Sequence, residues 1–282
     1  MGAQMPKARI DDIEIYYELH GPTCLPAAQA DPLLLIMGLG ANATSWEMQL
    51  PAFEREYRVV AFDNRGSGRT DKPKSPYTMP QMADDAAALL DNLGIASAHV
   101  FGMSMGGMIA QELALRHPQR VRALVLGGTM AGGPNAVMAG PQLVQQWVST
   151  ALLPLEQAIQ NGLRFLYSEE FIERNRERLV SRALELAYLQ PPLDALQRQV
   201  MAVVQFNTFQ RLADITAPTL VVSGTADQVV PPENSRILAE RIPGAQLIEL
   251  EGAGHGFLAE KAEETNSTVL AFIRRQGGGS PK

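Results

Sequence analysis

Residues 100–116 read VFGMSMGGMIAQELALR, and the fold follows from how this stretch divides. The run HVFGM at 99–103 is apolar after its first residue, as a strand covered on both faces requires. Residues 108–116 carry a helical pattern. Between them stands Gly102-Met103-Ser104-Met105-Gly106. Glycines in that setting permit a tight, strained turn from strand to helix. Such a turn lifts a serine hydroxyl clear of the backbone, at the end of the sheet and at a helix N-terminus. The five-residue pattern alone is loose and marks many ordinary turns. The strand before it and the helix after it make Ser104 a candidate nucleophile.

Working outward, short continuous apolar runs at 33–37 (LLLIM), 59–62 (VVAF), 123–126 (ALVL) and 220–222 (LVV) also read as covered strands. Residues 13–19 (IEIYYEL), rich in β-branched and aromatic side chains and followed by Gly21-Pro22, read as an early antiparallel strand. Helical patterns separate the runs. At 78–93, Thr78-x-x-Gln81 opens a helix, Leu89, Leu90 and Leu93 line one side, and Gly94 closes it. This alternation predicts an α/β fold with a mostly parallel central sheet and helices on both faces. It breaks after Thr129, where residues 130–211 read as helical throughout and predict a lid inserted between two core strands. The core is then residues 1–129 and 212–276, and the polar, glycine-rich end at 277–282 reads as a disordered tail.

A serine hydroxyl needs a base. Three of the four histidines have ordinary explanations: His20 adjoins a Gly-Pro turn, His99 begins a strand, and His117 sits at a helix end before Pro118. His255 lies among glycines in EGAGHGF, directly after a strand at 246–250, where a loop carries an imidazole to the rim of the sheet. Asp227, in Gly224-Thr225-Ala226-Asp227, also follows a strand. It precedes His255 by enough chain for one helix (232–241) and one strand, and is the candidate to orient the imidazole. The rival acid position after 123–126 holds Gly127-Gly128-Thr129 and offers no carboxylate. The order Ser, Asp, His is that expected of this elbow chemistry. Negative charge on an attacked carbonyl oxygen calls for two backbone donors, for which the Met105 and Leu39 N–H groups are the candidates.

The bulk composition narrows the partners. A net charge of −6 offers no positive field for nucleic acid or an anionic membrane surface, so a small-molecule substrate is expected. Cys24 is the sole cysteine, which excludes an intrachain disulfide and a Cys-based metal cluster and suits a reducing cytoplasm. Residues 1–17 contain no apolar stretch of signal-peptide length. Oligomeric state, monomer or homodimer, is left open.

Taken together, MGLG at 37–40, FDNRGSG at 62–68, GMSMGG at 102–107, GTAD at 224–227 and GHGF at 254–257 resemble the α/β-hydrolase fold superfamily over about residues 10–275. Most similar members carry His-Gly where this chain has Met37-Gly38, and that histidine steadies the oxyanion loop. In having Met37 the chain resembles some 3-oxoadipate enol-lactonases and anthracycline methylesterases. The resemblance implies an esterase or lactonase acting through an acyl-enzyme, with no cofactor. Relatives that use an aspartate nucleophile are disfavoured by serine at 104. Carbon–carbon bond hydrolysis or perhydrolysis by the same triad, and a ligand receptor on a hydrolase fold, are the alternatives. Asp63 and Arg65 belong to a segment shared across all these activities and read as turn-holding residues. Gly38, Met103, Trp147 and Phe257 are the candidate pocket residues. In the lid, Trp147, Phe165, Tyr188 and Phe206 are expected to serve the core more than the pocket. Met103, Met105 and Met108 beside the nucleophile fit a medium-sized apolar substrate.

Overall fold

In a computed structural model, which describes residues 6–22 and 30–276, one eight-stranded sheet has the order β1-β2-β4-β3-β5-β6-β7-β8. The strands are β1 (Lys7–Ile10), β2 (Ile13–His20), β3 (Pro32–Ile36), β4 (Arg58–Phe62), β5 (Ala98–Met103), β6 (Val121–Gly127), β7 (Thr219–Gly224) and β8 (Gln246–Leu250). From β4 to β8 all neighbours are parallel, and β2 joins β4 antiparallel. Cys24 and the tail at 277–282 lie outside the described residues.

The continuous apolar runs are needed because alternate residues serve opposite faces. Leu34, Ile36, Val60, Val100, Leu124 and Val221 join one core cluster with side chains of α2 (Met79–Asn92), α3 (Met105–Arg116) and α8 (Glu233–Arg241). Their neighbours Leu33, Leu35, Val59, Phe101, Val125 and Val222 join a second cluster. That cluster is completed by α1 (Leu50–Phe53), α9 (Phe257–Glu260) and α10 (Ala262–Gln276). The Thr78 side chain caps α2 by accepting from Gln81 N–H, and Gly94 follows with φ of +67°. β1 escaped the sequence reading because its four residues, half of them exposed and basic, form too short a pattern.

Between β6 and β7 lie α4 (Pro141–Ala151), α5 (Leu155–Leu166), α6 (Glu169–Glu185) and α7 (Leu193–Gln205). The helical expectation fails over most of residues 130–140, where the helix is a single 3-10 turn, Gly133–Asn135. There Gly132 and Gly133 both have positive φ, and Gly132 forms an isolated antiparallel bridge to Asn207. The core expectation also divides. Phe165 and Phe206 are buried, but Trp147 is 40% exposed and Tyr188 80% exposed. Trp147 stacks on Phe165 with ring centroids 6.0 Å apart, while α4 leaves Val144 and Val148 exposed beside it. One helix packed by a single neighbour cannot cover an apolar face of that width.

His99 in β5 is fully buried, meets the Tyr57 ring edge-on, and has no hydrogen-bond partner on either ring nitrogen among the described residues. Burial lowers its pKa from 6.5 to about 4, so the folded state holds a neutral imidazole. The unfolded imidazole takes up a proton below 6.5, so stability is complete above that pH and declines as pH falls toward 4. Urea unfolding at pH 7.5 and pH 5 should show His99 accounting for about 2 kcal/mol of acid destabilisation. His99→Leu should remove that part of the slope, and an unchanged slope would contradict the assignment.

Candidate active site

Ser104 is the N-cap of α3 and has φ of +57° and ψ of −122°, one of two non-glycine residues with positive φ among those described. Such backbone persists only where surrounding structure enforces it. Ser104 N–H donates to Gly127 O at 2.8 Å, and the Thr129 hydroxyl donates to Ser104 O at 2.7 Å. The flanking glycines are required by close backbone approach. A Cβ on Gly106 would lie 2.0 Å from Ile36 O, and one on Gly102 would lie 2.3 Å from Gly106 O. Only glycine at both positions allows α3 to start against the ends of β3 and β5.

The structure brings Ser104, His255 and Asp227 into one hydrogen-bonded chain. His255 Nε2 lies 3.1 Å from Ser104 Oγ, and His255 Nδ1 lies 2.7 Å from Asp227 Oδ2. Asp227 is buried, and its Oδ1 accepts from Val229 and Val230 N–H, each at 2.9 Å. With one oxygen held by the backbone, the other is fixed toward the imidazole. The loop bearing His255 is held from two sides. Gly256 N–H donates to Leu166 O at 2.7 Å, and Gly254 N–H donates to Glu260 Oε2 at 2.8 Å. The other Glu260 oxygen accepts from the backbone N–H and hydroxyl of Ser168, the N-cap of α6.

The loop after β3 reaches the same point. A Cβ on Gly38 would lie 2.9 Å from Ser104 Cβ and 3.4 Å from Oγ. Leu39, next in the chain, is half-buried, and neither its N–H nor that of Met105 meets a protein acceptor among the described residues. Met105 is the first residue of α3, where helical amides have no partner within the helix. Two unsatisfied donors thus flank the serine. Met37 offers no hydrogen bond of comparable strength from its side chain, and Asn64 Nδ2 instead donates to Met37 O at 2.7 Å.

Of the other pocket candidates, Met103 and Phe257 are buried in the core cluster beneath the site, packed against Gly127 and Gly128. Their apolar bulk supports the floor, because Phe257 starts α9 directly behind the His255 loop. Trp147 stands on exposed α4, as described. Asp63 accepts from Ala43 and Arg69 N–H, each at 2.7 Å, and the buried Arg65 pairs with buried Asp85 and with exposed Asp12. Both hold the turn beneath the loop after β3. Sequence reasoning missed Asn64, Glu260 and Gln199, whose contacts reach the site loops. Gln199 alone carried a signal: it interrupts the buried stripe Ala195, Gln199, Ala202 of α7 with an amide.

Residues 31–262 match the family model described as alpha/beta hydrolase fold. A protein of Azorhizobium caulinodans provisionally named carbamate hydrolase RutD is 32% identical, with 95% of this chain and 98% of its own length covered. Among solved structures, the enol-lactonase from Burkholderia xenovorans LB400 superposes with a TM-score of 0.82 at 28% identity, covering 95% of this chain and 100% of that one. A meta-cleavage product hydrolase from Pseudomonas fluorescens gives a TM-score of 0.77 at 26% identity, covering 94% and 96%. Among the described residues no helix is long and apolar enough to cross a membrane. The strained serine turn on β5 and the family match across most of the chain agree: this hydrolase belongs to the α/β-hydrolase fold family.

Proposed function

We propose that the protein cleaves a carboxylic ester or lactone of a small to medium apolar substrate through an acyl-enzyme. The observation that carries this reading is the unbroken line Asp227, His255, Ser104, ending on a serine held in strained backbone. Ser104 Oγ attacks the acyl carbon as its proton passes to His255 Nε2, and Asp227 stabilises the imidazolium. The Leu39 and Met105 N–H groups receive the oxyanion, for which they have no competing acceptor among the described residues. The leaving oxygen then takes the proton from His255. Water attacks the acyl-enzyme with its own proton going to His255, which releases the acid and restores Ser104. In a lactone the leaving oxygen stays tethered to the acyl group, so the steps are the same and one product results. These steps use no cofactor, and the expected partner is a small molecule in the cytoplasm.

An alkyl fluorophosphonate should add one phosphonyl group per chain, mapped to Ser104 by peptide mass spectrometry, and a short activated ester should turn over. An adduct on any other residue would overturn the assignment. A second reading comes from the relatives named carbamate hydrolase, since attack on a carbamate carbonyl uses the same geometry and leaves a carbamoyl group on the serine once the oxygen substituent departs with the proton from His255. Comparing kcat/KM on an ester, lactone and carbamate of matched acyl size separates the two.

A further inference from the structure

Gln199 enters the site from α7, which belongs to the inserted helices, yet its amide is wholly buried among loops of the sheet. Its Oε1 accepts from Gly40 N–H at 3.0 Å. Its Nε2 donates to Arg65 O at 2.8 Å and to Ser67 Oγ at 2.9 Å. One side chain thus ties the loop after β3 to the turn after β4. That loop needs tying: Gly38 and Gly40 give it little stiffness of their own, and Gly40 has φ of +68°. Its one internal bond described here runs from Ala41 N–H to Gly38 O at 3.2 Å. Two external bonds bracket Leu39, from Asn64 onto Met37 O before it and from Gly40 N–H to Gln199 after it.

We infer that Gln199 is a positioning residue, through which the seating of α7 on the sheet sets the aim of the Leu39 N–H toward the reacting carbonyl oxygen. The inference rests on the reading that Ser104 is the nucleophile and Leu39 an oxyanion donor. Leu196, on the same helix face, places its Cδ1 3.2 Å from where a Gly40 Cβ would stand, so helix and loop are in direct contact. Gln199 touches neither Ser104 nor His255. Its loss should therefore weaken the transition state more than the substrate complex.

Removing one oxyanion donor outright costs about 100- to 1,000-fold in kcat. Loosening one that remains should cost less, about 10- to 100-fold. The test is Gln199→Met, which keeps the volume and removes all three hydrogen bonds. Expected are a kcat on an activated ester lower by that factor and a KM within about threefold of the parent. The affinity of an alkyl boronate, which forms a tetrahedral adduct on the serine, should fall in step with kcat. The pH dependence of kcat/KM should keep its midpoint, since the His255 and Asp227 contacts are untouched. Should the Met variant not fold, Gln199→Glu keeps the acceptor for Gly40 but as a carboxylate loses both donated bonds. In that variant about a tenfold lower kcat at unchanged KM is expected. A folded variant with parental kcat, or one altered only in KM, overturns the inference. Turnover that survives Ser104→Ala would instead overturn the reading beneath it, which distinguishes the two failures.

Discussion

Ser104→Ala should lower kcat on an activated ester by about five to six orders of magnitude and abolish fluorophosphonate labelling. The reason is geometric: among the described residues the imidazole Nε2 has its hydrogen-bond partner in Ser104 Oγ. A residual rate above uncatalysed hydrolysis should persist, since the Leu39 and Met105 donors and the binding surfaces remain. The fold should be unaffected. The backbone of residue 104 keeps its bonds to Gly127 O and the Thr129 hydroxyl, neither of which involves the side chain. The measurement is kcat and Tm together. A parental Tm with more than 1% of parental kcat would show that Ser104 is not the nucleophile.

Asp227→Asn should be nearly as damaging, about four orders of magnitude in kcat, and for a reason particular to this site. Oδ1 is the acceptor for two backbone donors, Val229 and Val230 N–H. An asparagine must therefore keep its oxygen there and turn its amino group toward His255 Nδ1. The imidazole then accepts at Nδ1 and carries its proton on Nε2, where it cannot accept a proton from Ser104. The variant is thus a correctly folded enzyme with the wrong tautomer. Proton NMR should show loss of the far-downfield imidazole Nδ1–H signal along with the fall in kcat. Activity within tenfold of the parent would remove Asp227 from the mechanism.

The parts of this site that could be read from residues are those whose chemistry and local pattern coincide. Ser104, Asp227 and His255 each follow a strand, and the strands announce themselves because burial on both faces demands unbroken apolar runs. The supporting residues are different in kind. Gln199 is bonded to Gly40 across 159 positions, and Glu260 to Ser168 across 92, so no local periodicity points from one partner to the other. Inside a folded core a lone amide on an apolar stripe must find partners, but the sequence does not say which. The inserted helices were hardest to place. Amphipathic spacing identifies a helix and its apolar side without revealing how much of that side another element covers; α5 covers α4 only in part, and Tyr188 stays exposed.

The pairing of β6 with β7 also bears on the order in which the chain becomes active during its synthesis. The serine turn and its glycines lie before the end of β6, whereas Gln199, Asp227 and His255 follow only from α7 onward. A chain ending at β6 would hold Ser104 without Asp227 or His255, and its sheet would lack β7. Domains generally fold as units. The Ser104, Asp227 and His255 set therefore comes together only when residues 219–255 add β7 and β8 to the open edge, so turnover is expected only from a chain that carries both strands.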